Sequence, residues 1–176
     1  MLQSDGHKDR NMAKIIISVT GVSALVADYK KFKFDMTNNM VVPLDESAAK
    51  YLKVISANFM SQGAIFNDPW PPLSAATVRD KKALMAKGKA ISTKPLIRTG
   101  ALKSGFGRGL EGLHEAFIFN TQRYAILHNE GGTALYKGRR VTIPRRVLAD
   151  VDNDRITMVA GVFTSWFNNI IKKNKI

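Results

Sequence analysis

The stretch "NDPWPPLSAATVRDKK", residues 67–82, decides the fold because it places a tryptophan among prolines and then runs directly into a helix start. A proline ring fixes φ at about −65° and leaves the residue without a backbone N–H to donate. Trp70, which lies between prolines, therefore cannot be part of a helix or a central strand. Ser74 is a good N-cap for a helix ending near Gly88. The sequence predicts a rigid aromatic connection that anchors the chain before a basic helix.

The remaining pattern predicts one α+β domain over residues 14–176, preceded by a disordered tail over residues 1–13. The chain has 176 residues and no cysteine, so it can bury a core but offers no disulfide or thiolate metal site. No apolar run has the roughly 18 residues of a membrane span. We therefore expect no membrane association, no cofactor and a cytoplasmic location.

The first half of the domain is expected to hold a strand and two helices. "KIIISVTG", residues 14–21, is rich in β-branched residues, and residues 22–34 have helical apolar spacing. Asp45 is the expected cap of a second helix that ends near Met60. Its apolar stripe consists of Ala48, Leu52, Ile55 and Phe59.

The second half is expected to hold short antiparallel strands and a last helix. "HEAFIFN" predicts a strand with Phe117 and Phe119 on one face, "RYAILHNEGGT" a short helix stopped by glycines, and "RRVTIPRRVL" a strand interrupted at Pro144. The predicted fold is a small, mainly antiparallel sheet packed by two N-terminal helices and a C-terminal helix. The apolar stripe of the last helix is predicted to be Ile156, Val159, Phe163, Phe167 and Ile170.

Basic charge is concentrated between residues 79 and 108. The chain carries 27 Lys and Arg against 14 Asp and Glu, a formal net charge of +13, yet Asp80 is the one acidic residue in this range. Its glycine-rich end, "GFGRGLEG", indicates a long basic loop or a hairpin tip. A second basic cluster consists of Lys137, Arg139, Arg140, Arg145 and Arg146. Such charge attracts nucleic acid or an acidic protein surface, or simply forms a solvated face.

The sequence offers few catalytic motifs. Its histidines, His7, His114 and His128, are far apart, and no metalloprotease, CxxC or serine-hydrolase pattern occurs. His128 near Glu130 is a conceivable general base, but a turn histidine fixed by a hydrogen bond is the simpler interpretation. A small hydrolase remains a minor alternative, and we predict that the protein is not an enzyme.

Four segments in order resemble the phage virion-morphogenesis family of tail-completion and head–tail joining proteins. They are "DPWPPLSAATVRDKK", "LIRTGALKSG", "RYAILHNEGGT" and "VTIPRRVL", followed by a terminal helix. The family patterns are W-x-P-L-S-x-x-T, L-x-x-T-G-x-L-x-x-S, Y-A-x-x-H-x-x-G-G and I-P-x-R-x-[FL]-L. The second is matched here with a one-residue shift in its first spacing. In the fourth, Ile143, Pro144, Arg146 and Leu148 match, and position 147, where an aromatic residue is common, is valine. The residues that match and are expected to anchor the structure are Trp70, Pro72, Leu73, Thr99, Gly100, Tyr124, His128, Gly131 and Pro144.

The resemblance implies a non-enzymatic structural protein that forms a ring, commonly of six subunits, at the head–tail junction or tail end of the virion. Its partners would be its own copies, other connector or tail-tube proteins and, non-specifically, packaged DNA. The alternative is a general nucleic-acid-binding module that uses the basic loop. The residues predicted to face DNA or a partner are Lys81, Lys82, Lys87, Lys89, Lys94, Lys103, Arg108, Arg139 and Arg140.

Overall fold

The computed structural model describes residues 22–136 and 138–174, which form an α+β fold. The predicted tail and first strand, together with Lys137, lie outside the described residues. The helices are α1 (Val22–Asn38), α2 (Val41–Ser61), α3 (Ala75–Ala86), α4 (Ala101–Ser104), α5 (Ala125–Glu130) and α6 (Asn153–Asn174), with a 3-10 turn at Ala64–Phe66. None of the described helices has the length and hydropathy that a membrane crossing requires.

The strands form two separate antiparallel hairpins. Strands β1 (Phe106–Glu111) and β2 (Glu115–Asn120) pair with each other, and β3 (Gly132–Tyr136) pairs with β4 (Arg139–Ile143). The antiparallel arrangement is as predicted, although the strands do not join into one sheet. Helix α2 packs on both strands of the first hairpin and on α6, and α1 packs on α6.

Helix α2 supplies the centre of the core through the stripe that the sequence predicts. Ile55 and Phe59 are fully buried, and Leu148 and Leu102 pack with them from distant parts of the chain. Trp70 is 6% exposed and meets the Phe59 ring edge-on, with centroids 5.2 Å apart. The proline-bound tryptophan is therefore docked on α2, because the stiff connection presents its ring to the helix with little loss of entropy.

The Val147 carbonyl ties this connection to α2 and to the segment after β4. It accepts a hydrogen bond from Trp70 Nε1 at 3.0 Å and another from Asn58 Nδ2 at 2.8 Å. Gly63 makes the approach of the tryptophan possible, since its φ is +96° and an added Cβ would lie 2.5 Å from Trp70 Cδ1. Only glycine satisfies both conditions without strain.

The capping predictions for α3 are confirmed. Ser74 Oγ accepts from the Thr77 amide at 3.2 Å, and Gly88, with φ +65°, follows the helix end. The amides of Gly88 and Lys89 donate to the carbonyls of Met85 and Leu84, which is a Schellman motif. An irregular segment, residues 88–100, follows. A hydrogen bond within it links its two halves, as the Ile91 amide donates to the Arg98 carbonyl at 2.7 Å.

The glycine-rich segment forms the first hairpin rather than a loop that continues to Arg108. In the pair register Gly107 faces Phe119 and Gly109 faces Phe117. The rings lie directly over the glycines, where an added Cβ at Gly109 would come within 2.4 Å of Phe117 Cζ. Glycine is needed at these strand positions because the cross-strand aromatic rings occupy the space of a side chain.

Asp45 does not cap α2, which begins four residues earlier at Val41. The backbone amides in the first turn of a helix have no intrahelical acceptor. Pro43, which has no amide hydrogen, is therefore compatible with the first turn of α2. Asp45 instead faces strand β1, where Arg108 Nε donates to its carboxylate at 2.7 Å. This hydrogen bond, followed by the charge of the guanidinium, lowers the pKa of Asp45.

The predicted stripe of α6 is confirmed in part. Ile170 is buried and Val159 and Phe163 are half-buried, whereas Ile156 is 56% and Phe167 is 38% exposed. Val162, which lies outside the predicted stripe, is buried. The first turn is oriented by Arg155, which donates to the Ile65 carbonyl at 3.0 Å and lies over the Phe66 ring. An arginine with a buried apolar stem therefore takes the inward position that an isoleucine was expected to hold.

Replacing Trp70 with alanine should lower the free energy of unfolding by about 3–5 kcal/mol, because it leaves a cavity against Phe59. Trp70→Phe should cost less, since the ring contact is partly kept and the Val147 carbonyl retains Asn58. Urea denaturation followed by circular dichroism measures both values. A midpoint unchanged by Trp70→Ala would contradict the docking of the tryptophan.

Candidate functional site

A cavity of about 480 Å³ lies where residues of the four segments quoted for the family resemblance meet. Leu73 comes from the first segment, Arg98, Thr99 and neighbouring residues from the second, Tyr124 and His128 from the third, and Arg146 from the fourth. Four separate parts of the sequence thus build one concave site. Its polar lining consists of Lys81, Arg98, Thr99, Tyr124, His128 and Arg146, and its apolar lining of Leu73, Leu96, Ala101 and Leu102.

Lys81 is buried in this site, which corrects the prediction that it faces DNA or a partner. It is 9% exposed, and its ammonium donates to the carbonyl of Lys94 across the basic segment. Its position on α3 explains the burial, because Lys81 lies three residues from both Val78 and Leu84, on the inward face. Desolvation lowers the pKa of Lys81, and the nearby charges of Arg98 and Arg146 lower it further.

Arg146 is held at the back of the site by backbone contacts. It is 6% exposed, its amide donates to the His128 carbonyl at 2.8 Å, and its Nη2 donates to the Pro71 carbonyl at 3.3 Å. Its Nε is buried without a hydrogen-bond partner. A guanidinium has five N–H donors, so most of the hydrogen-bonding capacity of Arg146 is unused within the described protein. Burial lowers the pKa of Arg146.

His128 lies on α5, half-buried between aromatic and cationic neighbours. The Tyr124 ring meets it edge-on, with centroids 5.9 Å apart, and its Nδ1 is buried without a hydrogen-bond partner. The expected hydrogen bond is therefore missing at Nδ1. Desolvation, and then the charge of Arg146, lowers the pKa of His128, which favours the neutral imidazole.

The cavity has positive groups without a matching negative group. Its lining contains no Asp or Glu, and within the described part of the chain no salt bridge involves Lys81, Arg98 or Arg146. Glu130 is exposed and does not contribute to the lining. Buried charges are normally paired, so Lys81 and Arg146 are held at a cost that an anion would offset.

The predicted anchor residues have different environments. Trp70 is buried, and Leu73, Gly100, His128 and Gly131 are half-buried. Pro72, Thr99, Tyr124 and Pro144 are exposed, so these four do not anchor the chain by being buried. Gly131 has φ +75° and would place a Cβ 3.0 Å from the Arg145 amide nitrogen, so glycine is needed where α5 meets the segment after β4.

Most of the predicted partner-facing residues are at the surface. The exposed ones are Lys82, Lys87, Lys89, Lys94, Arg108, Arg139 and Arg140. Lys103 is half-buried on α4, and Lys81 is buried as described above. The prediction for Arg108 also needs correction. Its side chain is exposed, but its guanidinium is already paired with Asp45 on α2. The remaining exposed cations lie on α3, the following loop and strand β4.

Sequence reasoning missed the cavity because it treated Lys81, Arg98 and Arg146 as parts of a surface charge. The helical position of Lys81 relative to Val78 was an available signal. Arg146 occupies the arginine position of the fourth resembling segment, which was a second signal. Nothing in the local pattern indicated that Arg98 would join them, since this depends on how the distant segments pack.

Comparison of the chain with protein-family models, curated proteins and solved structures gives no match in any of the three. Within residues 22–136 and 138–174, no group of three or more His, Cys, Asp or Glu side chains is placed to hold a metal ion. Function must therefore be inferred from the geometry of the described residues.

His128 should make the stability of the protein depend on pH below neutrality. A histidine whose folded pKa is lowered binds fewer protons in the folded state, so stability is full above the unfolded value of 6.5 and falls as the pH drops toward the folded pKa. Histidine titrates between about pH 7 and pH 5. Over this range the free energy of unfolding of His128→Gln should fall less than that of the unchanged protein. Urea denaturation across this range measures the slopes.

His114→Gln is the matched control, because His114 is exposed in the turn of the first hairpin. It shows the effect of removing a histidine that does not line the cavity. Asp45, whose pKa is lowered from 3.8, acts at lower pH and does not confuse the comparison. Equal slopes for His128→Gln and the unchanged protein would contradict the buried, neutral imidazole.

Proposed function

We propose that the protein is a structural subunit of the head–tail junction or tail end of a tailed phage, where its copies assemble into a ring. The order of the four segments suggests this role, and their convergence on one core and one cavity supports treating them as a single structural unit. The ring, of six subunits as the resemblance implies, would join connector or tail-tube proteins. The protein would be made in the host cytoplasm and end in the virion.

The outer aromatic face of the first hairpin is the observation that carries the proposal. Phe117 and Phe119 are 46% and 42% exposed, lie side by side with centroids 6.0 Å apart, and cover glycines rather than core residues. Exposed neighbouring aromatic side chains on a regular element are typical of protein interfaces. A second copy of the chain is the occupant that a ring subunit would place there.

Both edges of this hairpin are open in the described protein. Its sheet has two strands, so β1 and β2 each leave one row of backbone groups without a strand partner. Such edges readily pair with a strand from another chain. Assembly of copies would cover the edges and the aromatic face together, which accounts for a hairpin that otherwise exposes large apolar groups.

The second hairpin adds a mixed apolar and basic surface. Leu135 is 78% and Val141 is 39% exposed, and Arg139 and Arg140 are exposed on the same hairpin. An element with so little buried surface contributes little to the core. It is suited to reach a neighbouring subunit or the DNA that passes through a ring.

The role is structural rather than catalytic in this proposal. His128 is the histidine in the cavity, but the lining provides no carboxylate to orient its imidazole. Catalytic histidines of hydrolases usually have such an orienting partner beside a nucleophile. The surroundings of His128 favour a binding or packing role over general base catalysis.

Native mass spectrometry should show a discrete oligomer of the purified protein without DNA, because the apolar hairpin face gains from burial in copies of the same chain. Phe117→Gln combined with Phe119→Gln should shift the protein to monomer. Circular dichroism should confirm that the double variant keeps its helical fold.

Ile156→Gln is the control for this experiment, since it removes an apolar side chain of similar exposure on α6. It should leave the oligomer intact. The proposal is wrong if the unchanged protein stays monomeric at all concentrations, or if the oligomer survives the double phenylalanine variant.

Nucleic-acid binding is the second candidate function, favoured by exposed lysines at the end of α3 and in the loop after it. Lys82, Lys87, Lys89 and Lys94 are all exposed, and none of them takes part in a salt bridge within the described residues. Unpaired surface lysines attract phosphates without reading sequence. This charge would serve either a free binding module or the inner surface of a ring around DNA.

Replacing Lys87, Lys89 and Lys94 with glutamine should reduce the salt dependence of duplex DNA binding by about three units of log Kd per log salt concentration, because three phosphate contacts are lost. Fluorescence anisotropy at several salt concentrations measures this slope. Stability should be nearly unchanged, since exposed lysines contribute little to folding.

The matched control replaces Lys30, Lys31 and Lys33 on α1, which removes the same charge from another exposed surface. Its effect on the slope should be clearly smaller. Equal effects of the two triple variants would show that net charge alone attracts DNA, and would contradict a specific role for the loop after α3.

A further inference from the structure

We propose that the cavity lined by Lys81, Arg98, Tyr124, His128 and Arg146 is a binding site for a carboxylate attached to a short apolar group. This inference does not depend on the proposed ring, because it follows from the charge and lining of a single chain. The ligand could be a free organic acid or an acidic side chain of another protein, and the shared chemistry is the carboxylate.

The first argument is the unsatisfied positive charge of the site. Lys81 and Arg146 are both at least nine-tenths buried, and their only hydrogen-bond acceptors among the described residues are backbone carbonyls, those of Lys94 and Pro71. A carbonyl accepts a hydrogen bond but does not neutralise a charge. An anion in the cavity would do both, and charge-assisted hydrogen bonds to it would be strong in this partly buried setting.

The buried polar atoms give a second argument. Arg146 Nε and His128 Nδ1 have no hydrogen-bond partner, although both residues line the cavity. Buried polar atoms without partners are uncommon in native proteins and need an explanation. A bound carboxylate could accept hydrogen bonds from the guanidinium of Arg146 once that group rearranges. Its negative charge would also stabilise a protonated His128 imidazole.

The apolar part of the lining selects a carboxylate over inorganic phosphate. Leu73, Leu96 and Leu102 contribute hydrocarbon surface to the same cavity. A phosphate presents polar oxygens in every direction and gains nothing from such walls, whereas an alkyl carboxylate places its charge on the cations and its chain on the leucines. The cavity of about 480 Å³ has room for an acidic side chain with its flanking backbone.

Binding is tested with butyrate as the free acid and with the α-amide of N-acetylglutamate as the side chain of a protein. Butyramide and the α-amide of N-acetylglutamine are the neutral isosteres. The readout is the imidazole signals of the full chain in NMR titrations, with exposed His114 as the internal control. Either carboxylate should shift the His128 signals saturably and leave His114 unchanged, and the amides should shift neither.

Arg98→Gln is the variant of choice, because Arg98 is exposed and its replacement should leave the fold intact. It should weaken carboxylate binding about tenfold, the expected loss for one charge-assisted hydrogen bond. Arg79→Gln is the matched control, an exposed arginine on α3 that does not line the cavity. It should leave the affinity unchanged.

The pH titration of His128 gives a second readout. His128 shares the cavity lining with Lys81, Arg98, Tyr124 and Arg146, and the lining contains no acid, so a bound anion should raise the pKa of His128 in the unchanged protein. The same anion should raise it less in Arg98→Gln. A His128 titration unaffected by saturating butyrate would contradict a site that includes His128.

The probes separate the two sources of the carboxylate. Tighter binding of the capped glutamate than of butyrate would support a protein ligand, and the reverse order would support a free acid. Inorganic phosphate binding more tightly than both would overturn the choice of a carboxylate. Equal affinities for acids and neutral amides, or no saturable shift with any probe, would overturn the site itself.

Discussion

The fold depends on one buried carbonyl group, that of Val147, which accepts hydrogen bonds from Trp70 and Asn58. Three parts of the chain meet at this atom: the end of α2, the proline-bound connection and the segment after β4. All three residues are buried, so each hydrogen bond is protected from water. Because a buried carbonyl without a partner is costly, the three segments are held in one arrangement.

This arrangement also creates the cationic cavity. Arg146 directly precedes Val147, so fixing the carbonyl fixes the arginine beside His128, and Trp70 lies next to the Pro71 carbonyl to which Arg146 donates. The same packing that satisfies the core therefore places positive charge where no acidic residue accompanies it. The core packing and the arrangement of the cationic cavity therefore come from one set of contacts, and the exposed aromatic face of the first hairpin lies outside that set.

Local signals predicted much of the fold. The stripe on α2, the Ser74 cap and the strand with Phe117 and Phe119 are confirmed, since each depends on a short run of residues. The predicted start of α2 was wrong, because Pro43 fits a first turn. The predicted burial of Ile156 on α6 was also wrong, because Arg155 takes the inward position by contacts with distant residues. The cavity forms where four distant segments pack together, which the local signals at Lys81 and Arg146 did not show by themselves, and the ring stays a prediction.

A double-mutant cycle of Asn58→Ala and Trp70→Phe tests the role of the Val147 carbonyl most directly, with urea denaturation of all four proteins as the measurement. Each single variant leaves the carbonyl one donor, whereas the double variant leaves it buried and unpaired. The double variant should therefore be about 1–3 kcal/mol less stable than the sum of the single effects predicts. Effects that add within about 0.5 kcal/mol would contradict the account.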